Sequence, residues 1–112
     1  MIIKPITSEK AVRMIELDNT LLFETERNAR IFSALGNETR LMILGLLYHR
    51  PYNVSGLVDE IKTLKQPTVT RHLSVLRNAG LVDSERQRQR VYYSLSKDSS
   101  ISYCRAFLES LI

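Results

Sequence analysis

The sequence is poor in the residues that mark secreted, membrane and disulfide-stabilised proteins. Cys104 is the only cysteine among 112 residues, which excludes an intramolecular disulfide and favours a reducing, cytoplasmic setting. The longest apolar run, around LMILGLLYH, is far shorter than the roughly 20 residues that cross a bilayer. The N-terminus shows no signal-peptide pattern. We therefore predict one globular domain, residues 1–112, with no membrane partner.

Catalytic patterns are also missing from the sequence. We find no paired carboxylates, no glycine-rich phosphate loop, and no Cys/His or Ser/His pair at a readable spacing. The prediction is a protein that is not an enzyme and that uses no cofactor.

Positive charge is concentrated in one part of the chain. The net charge is +4. Residues 61–97 carry eight basic and two acidic side chains, whereas the segments on either side are each slightly acidic. A block of one sign favours a surface that binds a polyanion, although a solvated basic face is the simpler alternative.

Hydrophobic periodicity predicts the order helix, helix, short strand, helix, helix, hairpin, helix. The short strand falls at YNV, and Asn53 and Ser55 are alternative N-caps for the helix that follows. The fold class is mainly α with a small β-hairpin, a winged helix-turn-helix. Its predicted parts, in chain order, are an N-terminal helical extension at 1–20, a helix-turn-helix at 54–80, a wing at 81–95 and a C-terminal helix at 98–112.

The segment KQPTVTRHLSVLRNAGLV predicts a helix with two different faces. Pro67 suits a first helical turn, and Val69, Leu73 and Leu76 form a buried stripe. Short polar side chains and one arginine on the outer face are the types that read base edges in the major groove. The predicted DNA-binding residues are Lys65, Gln66, Thr68, Thr70, Arg71 and Ser74. A surface helix with solvated polar residues is the alternative.

The segment ERQRQR places arginines at the predicted hairpin tip. Arg86, Arg88 and Arg90 alternate with glutamines, and arginines on a protruding ribbon contact phosphates or enter a narrow minor groove. Charges that protect a strand edge are the competing explanation.

Three segments together resemble the ArsR/SmtB family of winged-helix transcription regulators: FSALGNETRLMILGLL, QPTVTRHLSVLRNAGLV and RVYYSL. The resemblance implies a homodimer formed through the N- and C-terminal helices. It also implies binding to double-stranded DNA at a palindromic operator, and repression relieved by an inducer whose chemistry it does not indicate. In this family the positions of Gln66, Thr68, Thr70 and Arg71 lie in or beside the DNA-reading surface.

The resemblance does not extend to the metal site of the best-known members. Asn53 and Ser55 stand where those members carry cysteines, and soft metals need thiolate ligands. The C-terminal helix offers Asp98, Cys104 and Glu109 but no histidine. We therefore predict no metal site.

Alternative interpretations apply to the roles of Cys104 and His72 and to the overall function. Cys104 is either a small core residue or a redox-responsive thiol at the dimer axis. His72 is predicted to be a hydrogen-bonded structural histidine rather than a ligand. The alternative function is a winged-helix protein-interaction and dimerisation module that does not bind DNA.

Overall fold

The computed structural model describes residues 19–97 and 102–111, and the side chains of residues 23–97 and 105–110. It contains five helices and one hairpin: α1 (Asn19–Leu35), α2 (Glu38–His49), α3 (Val54–Ile61), α4 (Gln66–Asn78), β1 (Val82–Gln87), β2 (Arg90–Leu95) and α5 (Ser102–Leu111). This confirms the mainly α fold with a small hairpin. Most of the predicted extension at 1–20 lies outside the described residues. No described helix meets the length and hydropathy needed to cross a membrane.

Two asparagines fix where helices begin. The Asn37 side chain accepts a hydrogen bond of 3.1 Å from the Arg40 N–H at the start of α2. The Asn53 side chain accepts one of 2.7 Å from the Gly56 N–H at the start of α3. Each bond satisfies an N–H that has no partner inside its helix. Of the two predicted caps for α3, Asn53 is the one used.

The core forms where α2, α4 and the hairpin meet. Ile43, Leu44 and Leu47 of α2 are buried, which fits the nearly continuous apolar surface of this helix. Val69, Leu73 and Leu76 are each completely buried, as their spacing predicted. Removing a leucine or valine side chain from water contributes about 1.5–3 kcal/mol. The buried stripe therefore holds α4 firmly by one face and leaves the opposite face in solvent.

The end of α4 connects it tightly to β1. Gly80 has φ of 76°, the left-handed conformation that favours glycine. The Gly80 N–H donates to the Arg77 carbonyl and the Leu81 N–H to the Leu76 carbonyl, both at 2.9 Å. This is the Schellman pattern, and Leu76 and Leu81 are both buried, as the accompanying apolar contact requires. The helix therefore passes into the wing with no flexible linker.

The two strands form a hairpin with a two-residue turn. Val82 pairs with Leu95 and Gln87 with Arg90, which leaves Arg88 and Gln89 as the turn.

The predicted short strand at YNV is wrong in extent, because only Tyr52 pairs in the sheet, through an isolated bridge to Tyr93. The physical reason is that Asn53 already serves as the cap of α3, so the chain turns away after one residue.

Candidate nucleic-acid interface

The outer face of α4 is polar and accessible. Val69, Leu73 and Leu76 point inward, and the other positions of the helix are exposed except Thr68 and His72, which are half-buried. The structure places the six predicted residues as follows: Lys65, Gln66, Thr70, Arg71 and Ser74 are exposed, and Thr68 is half-buried. All six belong to one helix and its cap, and together they form a continuous surface that we call the α4 face.

The N-terminus of α4 combines a helix dipole with a lysine. Lys65 is the N-cap residue and its side chain makes no capping hydrogen bond, while Pro67 occupies the first turn. A cation at the positive end of a helix lowers helix stability. The same arrangement attracts an anion, because the ammonium and the helix terminus reinforce each other there. The geometry fits a phosphate contact at the edge of the α4 face.

The three wing arginines are all exposed, but they do not share a face. Arg86 pairs with Val91 and Arg90 pairs with Gln87. Cross-strand partners point to the same side of a sheet and neighbours along a strand point to opposite sides. Arg86 and Arg90 therefore lie on opposite faces, with Arg88 in the turn between them. Alternation along the sequence did not indicate this, because the turn interrupts the strand period.

Two residues outside the predicted set lie beside this surface. Lys62 is exposed in the turn that precedes α4 and adopts a left-handed conformation, with φ of 52°. Tyr92 lies on the Arg90 face of the hairpin, where it lines an open cleft of about 560 Å³ with residues 87–90. Lys62 belongs to the basic block of the sequence, and Tyr92 follows Arg90 at the strand period. Both signals were present in the sequence.

His72 forms a polar contact on the inner flank of α4. Its Nδ1 lies 3.4 Å from Nη1 of Arg40 in α2, which confirms the prediction of a hydrogen-bonded histidine. Burial lowers the pKa of His72, and the positive charges of Arg40 and Arg71 lower it further. Each of these effects disfavours the charged imidazolium. The ring is therefore held as neutral imidazole near neutral pH.

Polar contacts attach α5 to the body of the protein. The Tyr48 hydroxyl of α2 donates to the Glu109 carboxylate at 3.0 Å, and this bond raises the pKa of Tyr48. Arg105 donates to the Ser96 carbonyl at 3.0 Å. Cys104 belongs to α5, but its side chain is outside the described set, so its core and redox roles both stay predictions.

Two residues at the positions compared with metal ligands in the sequence make other contacts. Asn53 acts as a helix cap, and Glu109 accepts from Tyr48. Within residues 19–97 and 102–111, no cluster of three or more potential His, Cys, Asp or Glu ligands occurs. Asp98 is outside the described residues.

Several large apolar side chains face solvent on the helices at the two ends of the described chain. Phe23 and Phe32 of α1 are 59% and 63% exposed, and Phe107 of α5 is 46% exposed. Large exposed aromatic side chains of this kind mark interaction surfaces more often than random surface positions do.

Comparisons with known proteins agree with this geometry. The sequence model for "Bacterial regulatory protein, arsR family" matches residues 37–84. An uncharacterized HTH-type transcriptional regulator of Methanocaldococcus jannaschii, MJ1325, is 39% identical over 74 residues, which are 65% of this chain and 82% of the relative. A transcriptional repressor SmtB homolog of Synechocystis is 27% identical over 108 residues, covering 96% of this chain and 81% of the relative.

A solved structure supports the fold. The homodimeric winged helix-turn-helix DNA-binding domain Mb0332 of Mycobacterium bovis superposes with a TM-score of 0.73 at 24% identity, over 84% of this chain and 85% of that one. The predicted winged helix-turn-helix is thereby confirmed. With a relative 39% identical over most of its length and a family match centred on the helix-turn-helix, this chain belongs to the arsR family of winged helix-turn-helix, DNA-binding transcriptional regulators.

Proposed function

We propose that this protein is a homodimeric transcriptional repressor that binds an inverted-repeat operator through the α4 face and the wing. The observation that carries the proposal is the exposure of these polar and basic residues on a helix whose other face is completely buried. An α-helix fits the major groove of B-DNA, and a rigidly held helix presents its side chains to base edges in a fixed orientation.

The α4 face divides into base-reading and phosphate-binding residues. Arg71 has the fork geometry that binds a guanine edge with two hydrogen bonds, and Gln66 suits an adenine edge. Thr68, Thr70 and Ser74 provide shorter contacts to bases or to a thymine methyl group. Lys65 at the helix N-terminus and Arg86, Arg88 and Arg90 of the wing bind the backbone or the minor groove.

Dimerisation uses the exposed apolar side chains of the terminal helices. Phe32 of α1 and Phe107 of α5 expose about half or more of their surfaces, and a second copy would remove this apolar area from water. A two-fold axis places two recognition helices about one DNA turn, roughly 34 Å, apart. Phe32→Glu is therefore expected to yield monomers by analytical ultracentrifugation and to weaken operator binding.

The deciding experiment is selection of bound duplexes from a random DNA library, followed by titration of the recovered sequence. We expect an inverted repeat. Arg71→Ala should relax selectivity at one base position of each half-site, at a cost of about 1–3 kcal/mol against the preferred base. Arg30→Ala, which removes an exposed arginine from α1, is the control and should recover the parent motif.

Two results would contradict the proposal. If the parent recovers no common sequence, the winged-helix interaction module that lacks a DNA role becomes the better explanation. If Arg71→Ala recovers the parent motif unchanged, the assignment of the α4 face as the base-reading surface is wrong.

A further inference from the structure

Arg40 occupies the point where three helices meet. Its guanidinium Nε donates to the Ala34 carbonyl at 2.7 Å and its Nη2 donates to the Ser33 carbonyl at 3.3 Å. Both carbonyls belong to the last turn of α1. The Nη1 of the same side chain lies 3.4 Å from His72 Nδ1 on α4. A single side chain from α2 therefore connects the end of α1 with the recognition helix.

Each contact has a clear physical basis. Carbonyls in the last turn of a helix lack partners within it, and the negative end of the helix dipole favours a cation. The guanidinium is planar and its N–H groups form a rigid fork. When two of its nitrogens are bound to α1, the direction of the third is fixed. The position of Arg40 relative to α1 thus determines where a His72 acceptor must lie.

A groove between α1 and α4 makes the Arg40–His72 contact important for the relative position of these two helices. An open groove of about 440 Å³ separates the C-terminal half of α1 from α4, lined by Ala29, Arg30, Ser33, Ala34, Val75, Asn78 and Ala79. Across this groove small side chains leave the two helices apart. The buried stripe of α4 packs against other elements, and apolar contacts are not directional. The Arg40–His72 contact adds a directional polar bond to the packing that already holds α4 by its buried face.

The contact requires neutral His72. Arginine has only donors, so Nδ1 of His72 must accept and its proton resides on Nε2. A protonated imidazolium has no acceptor and would face two cations, Arg40 from α2 and Arg71 from its own helix. These two are the charged groups that influence His72 among the described residues. Neutral pH preserves the contact and acid removes it.

We propose that Arg40 is a positioning residue which, through His72, fixes the rotation of the recognition helix relative to α1 and thereby the operator spacing that the dimer accepts. The inference rests on the proposed function, because α1 must contribute to the dimer interface. Arg71 follows directly before His72 in sequence, so any rotation of α4 that moves His72 also moves Arg71. When the Arg40–His72 contact is lost, α4 can rotate, and the dimer no longer rejects two half-sites at the wrong spacing.

The test compares four variants on the selected operator and on operators with one base pair inserted or deleted between half-sites. His72→Asn keeps an oxygen acceptor close to the Nδ1 position but does not titrate, whereas His72→Leu removes the acceptor. Arg40→Met removes the donors. His49→Asn changes the other histidine, which is exposed at the end of α2, and serves as the control for pH effects.

At pH 8 we expect the parent, His72→Asn and His49→Asn to prefer the native spacing by roughly tenfold in Kd. His72→Leu and Arg40→Met should bind the three operators within about twofold of one another. As the pH is lowered stepwise below the ordinary imidazole pKa of 6.5, the parent and His49→Asn should progressively lose their spacing preference, and His72→Asn should keep it. Circular dichroism checks that each variant is folded, and His72→Asn keeps the proposal testable if Arg40→Met does not fold.

The outcomes separate the two proposals. If the parent binds no selected sequence, the proposed function fails and this inference fails with it. If the parent binds its operator but His72→Leu keeps both the spacing preference and the pH profile of the parent, the positioning role is overturned and the proposed function stands.

Discussion

Arg86 and Arg90 project from opposite faces of the hairpin, because Arg86 is paired with Val91 and Arg90 with Gln87. A ribbon that enters the minor groove edge-on with one cation on each side approaches the phosphates of both strands. Because the proposed homodimer carries each wing twice, we expect Arg86→Ala and Arg90→Ala each to reduce the magnitude of the slope of log K against log salt by about two, and the double variant to reduce it by about four. A parent-like slope in either single variant would show that only one face of the wing meets DNA.

Arg88 is held in a conformation that suits glycine. Its φ of 59° places it in the left-handed region at the first position of the hairpin turn, where a non-glycine residue costs roughly 1–2 kcal/mol. Arg88→Gly is expected to raise the free energy of unfolding by about 1 kcal/mol and to weaken DNA binding at low salt. Arg88→Ala is the matched variant: it should lose the same DNA affinity without the gain in stability, because alanine keeps the strain. Equal stability of the two variants in urea titrations would contradict this account.

Gly80 and Gly45 form a natural comparison between two glycines. An added Cβ would meet no atom within 4 Å at either position, so neither substitution creates a steric clash with neighbouring residues. Gly80 has φ of 76°, whereas Gly45 lies inside α2. Gly80→Ala should therefore lower the free energy of unfolding by about 1–2 kcal/mol, and Gly45→Ala should raise it by about 0.5–1 kcal/mol. Changes of the same sign in thermal or chemical unfolding would show that backbone conformation is not the deciding factor.

Lys65 occupies an N-cap without a side-chain bond. A serine there can accept a hydrogen bond from the Thr68 N–H and is expected to stabilise the protein by about 1 kcal/mol. The same Lys65→Ser change should weaken operator binding, because a phosphate-directed charge is lost. Lys97→Ser removes a comparable exposed lysine away from α4 and should change neither property appreciably. An unchanged affinity for Lys65→Ser would remove Lys65 from the interface.

Stability should also depend on pH through His72. Its pKa in the folded protein lies below the ordinary value of 6.5, so the unfolded chain binds more protons once the pH falls below that value. The stability contributed by neutral His72 is complete above pH 6.5 and is lost on acidification through the lower folded-state pKa. The stability of His72→Asn relative to the parent should therefore increase between pH 7.5 and 5.5 in urea titrations. A constant difference would show that His72 titrates alike in both states.

Local signals accounted for much of this structure. The spacing of Val69, Leu73 and Leu76 predicted the buried stripe, and Pro67 marked the first turn of α4, because helix-start signals and periodicity act over a few residues. The signal failed at YNV, where pairing with Tyr93 depends on a contact distant in the chain. The faces of the wing arginines followed from hairpin register, and the Arg40–His72 contact spans 32 residues. Such tertiary relationships leave no periodic trace in the sequence.

The Schellman end of α4 has a consequence for the length of a DNA site. Leu81 receives a hydrogen bond from the Ser96 N–H at 3.0 Å, and its own N–H is bound to Leu76. Helix and hairpin thus share one residue as a common anchor and must move together. In the proposed DNA complex, the distance along the duplex between the bases bound by α4 and the groove bound by the wing would then be constant. Lengthening a half-site by one base pair between these two contacts would force the protein to give up one of them.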